Sequence, residues 1–166
     1  CQNETQKYWR LMVDLDISDA ILAKEDIQNM TYFSKLMGSV ANPSYALFRM
    51  VVGFLFMWHG TQKLFDIPVD FPYELNALSY AAGIIELVGG AMVLFGCITR
   101  PVAFICSGTM AVAYWMVHGL NSFFPIINGG ELAALYCFGF LLIAANGPGI
   151  WSIDQYFSKN SGEENP

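Results

Sequence analysis

Apolar residues run in long blocks through the last three-quarters of this chain. A bilayer span needs about 20 mostly apolar residues to cross roughly 30 Å of hydrocarbon. Four stretches meet that requirement: 45–64, 77–97, 101–120 and the shorter 130–146. "DIPVDFPYE", "TRP" and "NSFFPIINGG" separate them, Pro- and Gly-containing compositions suited to turns at a membrane surface. The pattern predicts an all-α protein, an integral membrane four-helix bundle. Ahead of it, Leu22, Ile27, Met30, Phe33 and Met37 recur at roughly helical spacing among Lys24, Glu25, Asp26 and Lys35. That spacing predicts an amphipathic helix capped by Asp16 or Ser18, lying on the membrane surface, on the ends of the bundle or on another subunit. The expected organisation is an N-terminal cytoplasmic or surface helical extension over 1–44, a four-span domain over 45–154 and a disordered C-terminal tail over 155–166.

Composition supports a lipid environment, because 55% of the 166 residues are apolar and 13% charged, against roughly 25% charged in an ordinary soluble domain. Net charge is −6 without a cluster of Lys and Arg, which excludes nucleic acid as a partner. Four spans place both termini on one side. Lys7, Arg10, Lys24, Lys35, Arg49, Arg100 and Lys159 fall on that side and Lys63 on the other, so both ends are expected in the cytoplasm. A leading Cys1 has two readings. Lipidation after leader cleavage would put that end outside, whereas an ordinary first residue agrees with the charge bias. The remaining cysteines, Cys97, Cys106 and Cys137, form no Cys-x-x-Cys pair and read as small hydrophobes.

The polar residues inside the spans carry the candidate chemistry. Arg49, Gly53, Phe56, Gly60 and Lys63 are spaced 4, 3, 4 and 3 apart, one stripe of a helix, with His59 beside it. In "GIIELVGG", Gly83, Glu86 and Gly90 share a face, so a small-residue groove brings a neighbouring helix close to a carboxylate. Ser107, Ala111, Tyr114 and His118 align on the third span, and Glu131 opens the fourth. With a rise of 1.5 Å per residue, His59 lies about 7 Å and Glu86 about 13 Å inside the outer surface, and Lys63, His118 and Glu131 within about 5 Å of it. Arg49 belongs to the opposite half, about 10 Å along the axis from Glu86. His59 is therefore the expected first partner of Glu86, and Arg49 would have to stretch to reach it.

An ionised Glu at mid-bilayer costs roughly 2.5 to 3.5 kcal/mol on insertion scales, so Glu86 must be neutral, paired or beside water. Two readings compete. Glu86 and Glu131 can pair with His59, Lys63, His118 or Arg49 merely to lock helix register, or the same groups can line a functional pocket. In the pocket reading Glu86 and His59 are the catalytic candidates. Arg49, Lys63, His118, Glu131, Tyr114 and Trp58 are then candidate substrate-binding residues. Trp58, Tyr114, Trp115, Phe123, Phe124 and Tyr136 gather toward the outer half, where they suit either a slot for a quinone ring or an interfacial belt with core packing. No metal site is assigned. The Glu-x-x-His pairs of a di-iron bundle are absent, and a mononuclear site from His59, His118 and Glu131 or a haem held by His59 and His118 are the remaining metal alternatives.

"LFRMVVGFLFMWHGTQKLF", "GIIELVGGAMVLFGCITRPVA", "AYWMVHG", "NGGELAALYCF" and "GPGIWSID", in that order over about residues 45 to 154, resemble the DoxX family of small four-span membrane proteins. The acidic extension before them departs from the compact family pattern. The resemblance implies residence in a bacterial or archaeal cell membrane and a quinone-linked or redox-complex role, since relatives include a membrane subunit of thiosulfate:quinone oxidoreductase. Carried over by position, the family's charged features are Arg49, His59, Lys63, Glu86, Arg100, His118, Glu131 and Asp154. Quinone is the implied cofactor, and other membrane or peripheral subunits are the implied partners beside the lipid bilayer. The alternative is a non-catalytic accessory or scaffold subunit whose extension docks onto a partner.

Overall fold

The computed structural model describes the backbone of residues 2–73 and 76–161 and, within these, side chains at 22, 24 and 28–160. Every regular element among the described residues is helical: α1 Gln2–Phe65, α2 Ala77–Ile84, α3 Gly90–Phe95, α4 Thr99–Ala113, α5 Pro125–Asn128, α6 Glu131–Asn146 and α7 Ile153–Ser161. Two π-helical segments complete the spans. Ile85–Gly89 joins α2 to α3, and Tyr114–Gly119 extends α4. Gln28–Phe65, Ala77–Phe95 and Thr99–Gly119 are long and apolar enough to cross a bilayer, and Glu131–Asn146 is a shorter apolar helix.

The chain forms two compact units, Cys1–Ala41 and Asn42–Pro166. In the first, helix runs from Gln2, so the start expected at Asp16 or Ser18 is not there. No Gly or Pro occurs before Gly38, and nothing in the sequence stops the helix from propagating toward the terminus. The side chains of Asp16, Ser18, Glu25, Asp26 and Ile27, and Cys1 as a whole, lie outside the described residues. Met30, Phe33 and Met37 are exposed.

In the second unit the core draws on all four spans. Phe56 from α1, Val93 from α3, Ala103, Cys106 and Met110 from α4, and Tyr136, Phe140 and Ile143 from α6 are buried together. Val51, Leu55, Phe104, Ile105, Leu135 and Phe138 point outward and are exposed, an apolar girdle suited to lipid. Helix α1 meets the second span through glycines. A Cβ on Gly53 would stand 2.6 Å from Leu94 N and one on Gly90 2.7 Å from Met57 N, so the two backbones touch where any side chain would hold them apart.

Residues 155–161, expected to be disordered, belong to α7 instead. Asp154 in its first turn favours the helix N-terminus, and its backbone N–H donates to the Gly96 carbonyl at 2.9 Å, which ties the tail back to the bundle.

Candidate functional site

The buried carboxylate is answered by lysine, not by histidine. Lys63 Nζ donates to both oxygens of Glu86, at 2.6 and 2.5 Å. Glu86 is 2% exposed and the Lys63 side chain 19%. Backbone contact dictates this choice. A Cβ on Gly83 would lie 3.1 Å from Lys63 Cβ, so the lysine stem runs along the second span one turn before Glu86 and its flexible methylenes bring the ammonium inward. The ring of Phe71, from the loop after α1, lies 5.7 Å from that ammonium, within cation–π range. The loop is held by the Phe71 N–H donating to Asp66 Oδ1 at 2.9 Å and by Gln62 Nε2 donating to the Asp70 carbonyl at 3.4 Å.

His59 sits one turn away and meets an aromatic wall. Its ring stands edge-on to Tyr136 with centroids 5.8 Å apart, and Tyr136 in turn contacts Phe56 and Phe140. The expected His59–Glu86 pair is therefore replaced by Lys63–Glu86. Glu86 lies within the π-helical turn Ile85–Gly89, a distortion that adds one residue to the turn and occurs often at functional sites.

Arg49 does not stretch toward Glu86. Fully buried, it lies at the opposite end as the earlier depth estimate required, and its guanidinium donates to four carbonyls. Nη1 reaches Val93 and Leu94 at 2.7 and 2.9 Å, and Nη2 reaches Ile150 and Trp151 at 3.4 and 2.9 Å. Asp154 accepts from the Ile98 and Thr99 N–H groups at 2.7 and 2.8 Å and from the Thr99 hydroxyl at 2.7 Å. Arg100 donates to Ala144 and Ala145 at 3.1 and 2.6 Å, and the Tyr45 hydroxyl to Gly147 at 2.6 Å. Each charge thus answers the end of a helix, cations at the carbonyl ends of α3 and α6 and the anion at the N–H end of α4. Gly96, at φ 68°, lies under this clasp. A side chain there would meet Ser152 and come 2.7 Å from Arg49 Nη1.

A third cluster sits in the second π segment. His118 Nδ1 is 2.9 Å from the Asn128 carbonyl, and Asn128 Nδ2 donates to the Tyr114 hydroxyl at 3.3 Å and the Ser122 carbonyl at 2.8 Å. Among the described residues no group of three or more His, Cys, Asp or Glu side chains stands close enough to hold a metal ion.

The DoxX family model matches residues 44–119. An uncharacterized protein of Haemophilus influenzae is 40% identical over 121 residues, covering 69% of this chain and 90% of that protein. The chain belongs to the DoxX family. Another similar chain is an uncharacterized membrane protein of Mycobacterium tuberculosis, Rv3486, 24% identical over 145 residues, 76% of this chain and 89% of that one. The Escherichia coli inner membrane protein YqjF is 33% identical over 81 residues, 46% of this chain and 58% of its own length. No solved structure matches.

The family and the apolar helices make this an integral membrane protein whose outer face contacts lipid. The stretch matched to DoxX contains both π segments, Glu86, His59 and His118. Two of the expected binding residues face away from the interior. Trp58 is 38% exposed with its ring edge-on to Phe54, because it lies on the lipid side of the Arg49–Lys63 stripe. Glu131 is exposed in the first turn of α6, where an acidic residue favours the helix N-terminus. Tyr136 is one of the aromatics that the sequence offers for a ring slot or for belt and core packing, and its i+4 spacing to Phe140 marks the common face. Phe71 had no signal beyond being an aromatic in a Pro-containing loop.

Proposed function

We propose that this DoxX-family protein is the membrane subunit of a redox complex that binds a quinone or a small anion beside the Lys63–Glu86 pair. The observation that carries the reading is a carboxylate 2% exposed whose lysine partner is still 19% exposed. Such a pair connects a desolvated acid to the membrane surface through one flexible side chain. Lys63 supplies positive charge for an anionic or carbonyl oxygen arriving from the Phe71 side. The Lys63–Glu86 pair holds one shared proton that it can pass to a reduced ring oxygen and regain from the membrane surface, and electrons come from a partner subunit. His59 and Tyr136 supply the flat wall along which a ring can stack. Both termini face the cytoplasm of a bacterial cell in this reading, and residues 1–44 are the arm that docks the partner.

A second reading has its own support, since Arg49, Arg100 and Asp154 all bind backbone at helix ends. Charges used as fasteners suit a non-catalytic accessory or scaffold subunit. Lipid extraction of protein purified in mild detergent separates the two. The redox reading expects near-stoichiometric quinone in the wild type and its loss in Glu86→Gln at unchanged helicity. No quinone above the detergent background, or equal quinone in both proteins, overturns the quinone reading of the site.

A further inference from the structure

Beside the turn that follows α6 lies a polar hollow of about 460 Å³. Asn42 and Tyr45 of α1, Arg100 of α4, Asn146 of α6 and Gln155 of α7 line it together with the turn 148–150. Arg100 is the second residue of α4 and Asn146 the last of α6, so the hollow stands at the tips of the third and fourth spans. The turn is pressed onto its neighbours. A Cβ on Gly147 would lie 2.9 Å from Arg100 Nη2, and one on Gly149 2.8 Å from the Tyr45 ring.

The lining contains one cation and no carboxylate, and among the described residues Arg100 makes no ion pair. Its fork is already fixed: Nη1 donates to Ala144 and Ala145 and Nη2 to Asn146, at 3.1, 2.6 and 3.4 Å. A guanidinium has five N–H groups, so Nε and the second Nη2 hydrogen are left to give. Further donors line the same hollow. The side-chain amides of Asn42 and Gln155 and the N–H groups of Gly149 and Ile150 have no acceptor among the described residues. We infer that this hollow binds a phosphate group, with Arg100 as the charged donor and the Asn42 and Gln155 amides completing the shell. A held guanidinium without a competing carboxylate favours an oxyanion. A planar carboxylate would use the arginine fork alone, whereas a tetrahedral anion can also take donors from α1, α7 and the turn. A free phosphate and a phospholipid headgroup share this chemistry. None of these residues belongs to the Lys63–Glu86 arrangement, so the site stands independently of the redox reading.

Calorimetric titration of the full chain in phosphate-free maltoside detergent, at constant ionic strength, tests the site with inorganic phosphate and, separately, with dihexanoyl phosphatidylglycerol. One saturable site per chain is expected. Saturation by inorganic phosphate supports a site for the free anion, and saturation by phosphatidylglycerol alone supports a site for the headgroup. Asn42→Asp places a carboxylate at an exposed helical position and should weaken binding about tenfold through like charge. Arg100→Gln should weaken it about thirtyfold, with helicity checked because the α6 carbonyls lose their cap; Asn42→Asp carries the test where that variant does not fold. No saturable binding of either probe, or equal binding by the wild type and Asn42→Asp, overturns the proposal. So does binding that Lys63→Met removes and Asn42→Asp keeps, which would move the anion to the other end of the bundle.

Discussion

Replacing Lys63 by Met isolates the energetics of the intramembrane pair. Methionine keeps most of the apolar stem and removes the ammonium, so Glu86 is left 2% exposed with both donated hydrogen bonds gone. Deleting one partner of a buried ion pair costs about 3 to 5 kcal/mol. Lys63 is 19% exposed, and solvent screening of that end lowers the expected loss to about 2 to 3 kcal/mol. This is a fall of roughly 30- to 150-fold in the folded-to-unfolded ratio. Glu86→Gln retains a carbonyl oxygen for the ammonium and should cost about 1 kcal/mol. Because an apolar pair of similar volume replaces a buried ion pair at little cost, Lys63→Met combined with Glu86→Leu should recover most of the loss. The double-mutant coupling should be about 2 kcal/mol. Titration of the wild type, Lys63→Met, Glu86→Leu, the double change and Glu86→Gln in mixed micelles with sodium dodecyl sulfate, read by far-ultraviolet circular dichroism, gives all five stabilities. A Lys63→Met loss below about 0.5 kcal/mol, or additive single changes within that margin, would refute a pair that stabilises the bundle.

Two further changes probe the frame. Arg49→Lys keeps the charge but cannot present a planar fork to four carbonyls, so a loss of about 2 to 3 kcal/mol is expected in the same titration; a loss within about 0.5 kcal/mol would mean that charge alone suffices there. Gly90→Ala puts a methyl group 2.7 Å from Met57 N, which must push α1 from the second span at a cost of about 1 to 3 kcal/mol, whereas Gly108→Ala, with nothing within 4 Å, should be neutral or slightly stabilising by thermal melting.

The faces of the spans were legible because 3.6-residue periodicity is a property of the chain itself. The stripe from Arg49 to Lys63 and the groove around Glu86 lie where spacing puts them. Partner choice was not legible. Spacing ranks His59 and Lys63 by depth, but the Gly60 and Gly83 backbone contacts decide which side chain overlies Glu86, and the π-helical turn re-aims it. Arg49 illustrates a second gap, since sequence reveals a costly charge but not the carbonyls that receive it. Periodicity also marked no helix at α7, because three apolar residues in a polar tail are too few to outweigh composition. Only the Asp154 contacts, 55 and 56 residues distant in the chain, turn that tail into a helix with a fixed orientation.

The Arg49 clasp gives the bundle a floor. Beneath it the rings of Phe56 and Phe140, 4.6 Å apart between centroids and fully buried, fill the middle layer. In the proposed reading, a molecule or proton that passes Phe71 to reach Glu86 finds packed rings ahead of it and leaves on the side it entered. That reading therefore ties any exchange at the pair to one side of the bilayer.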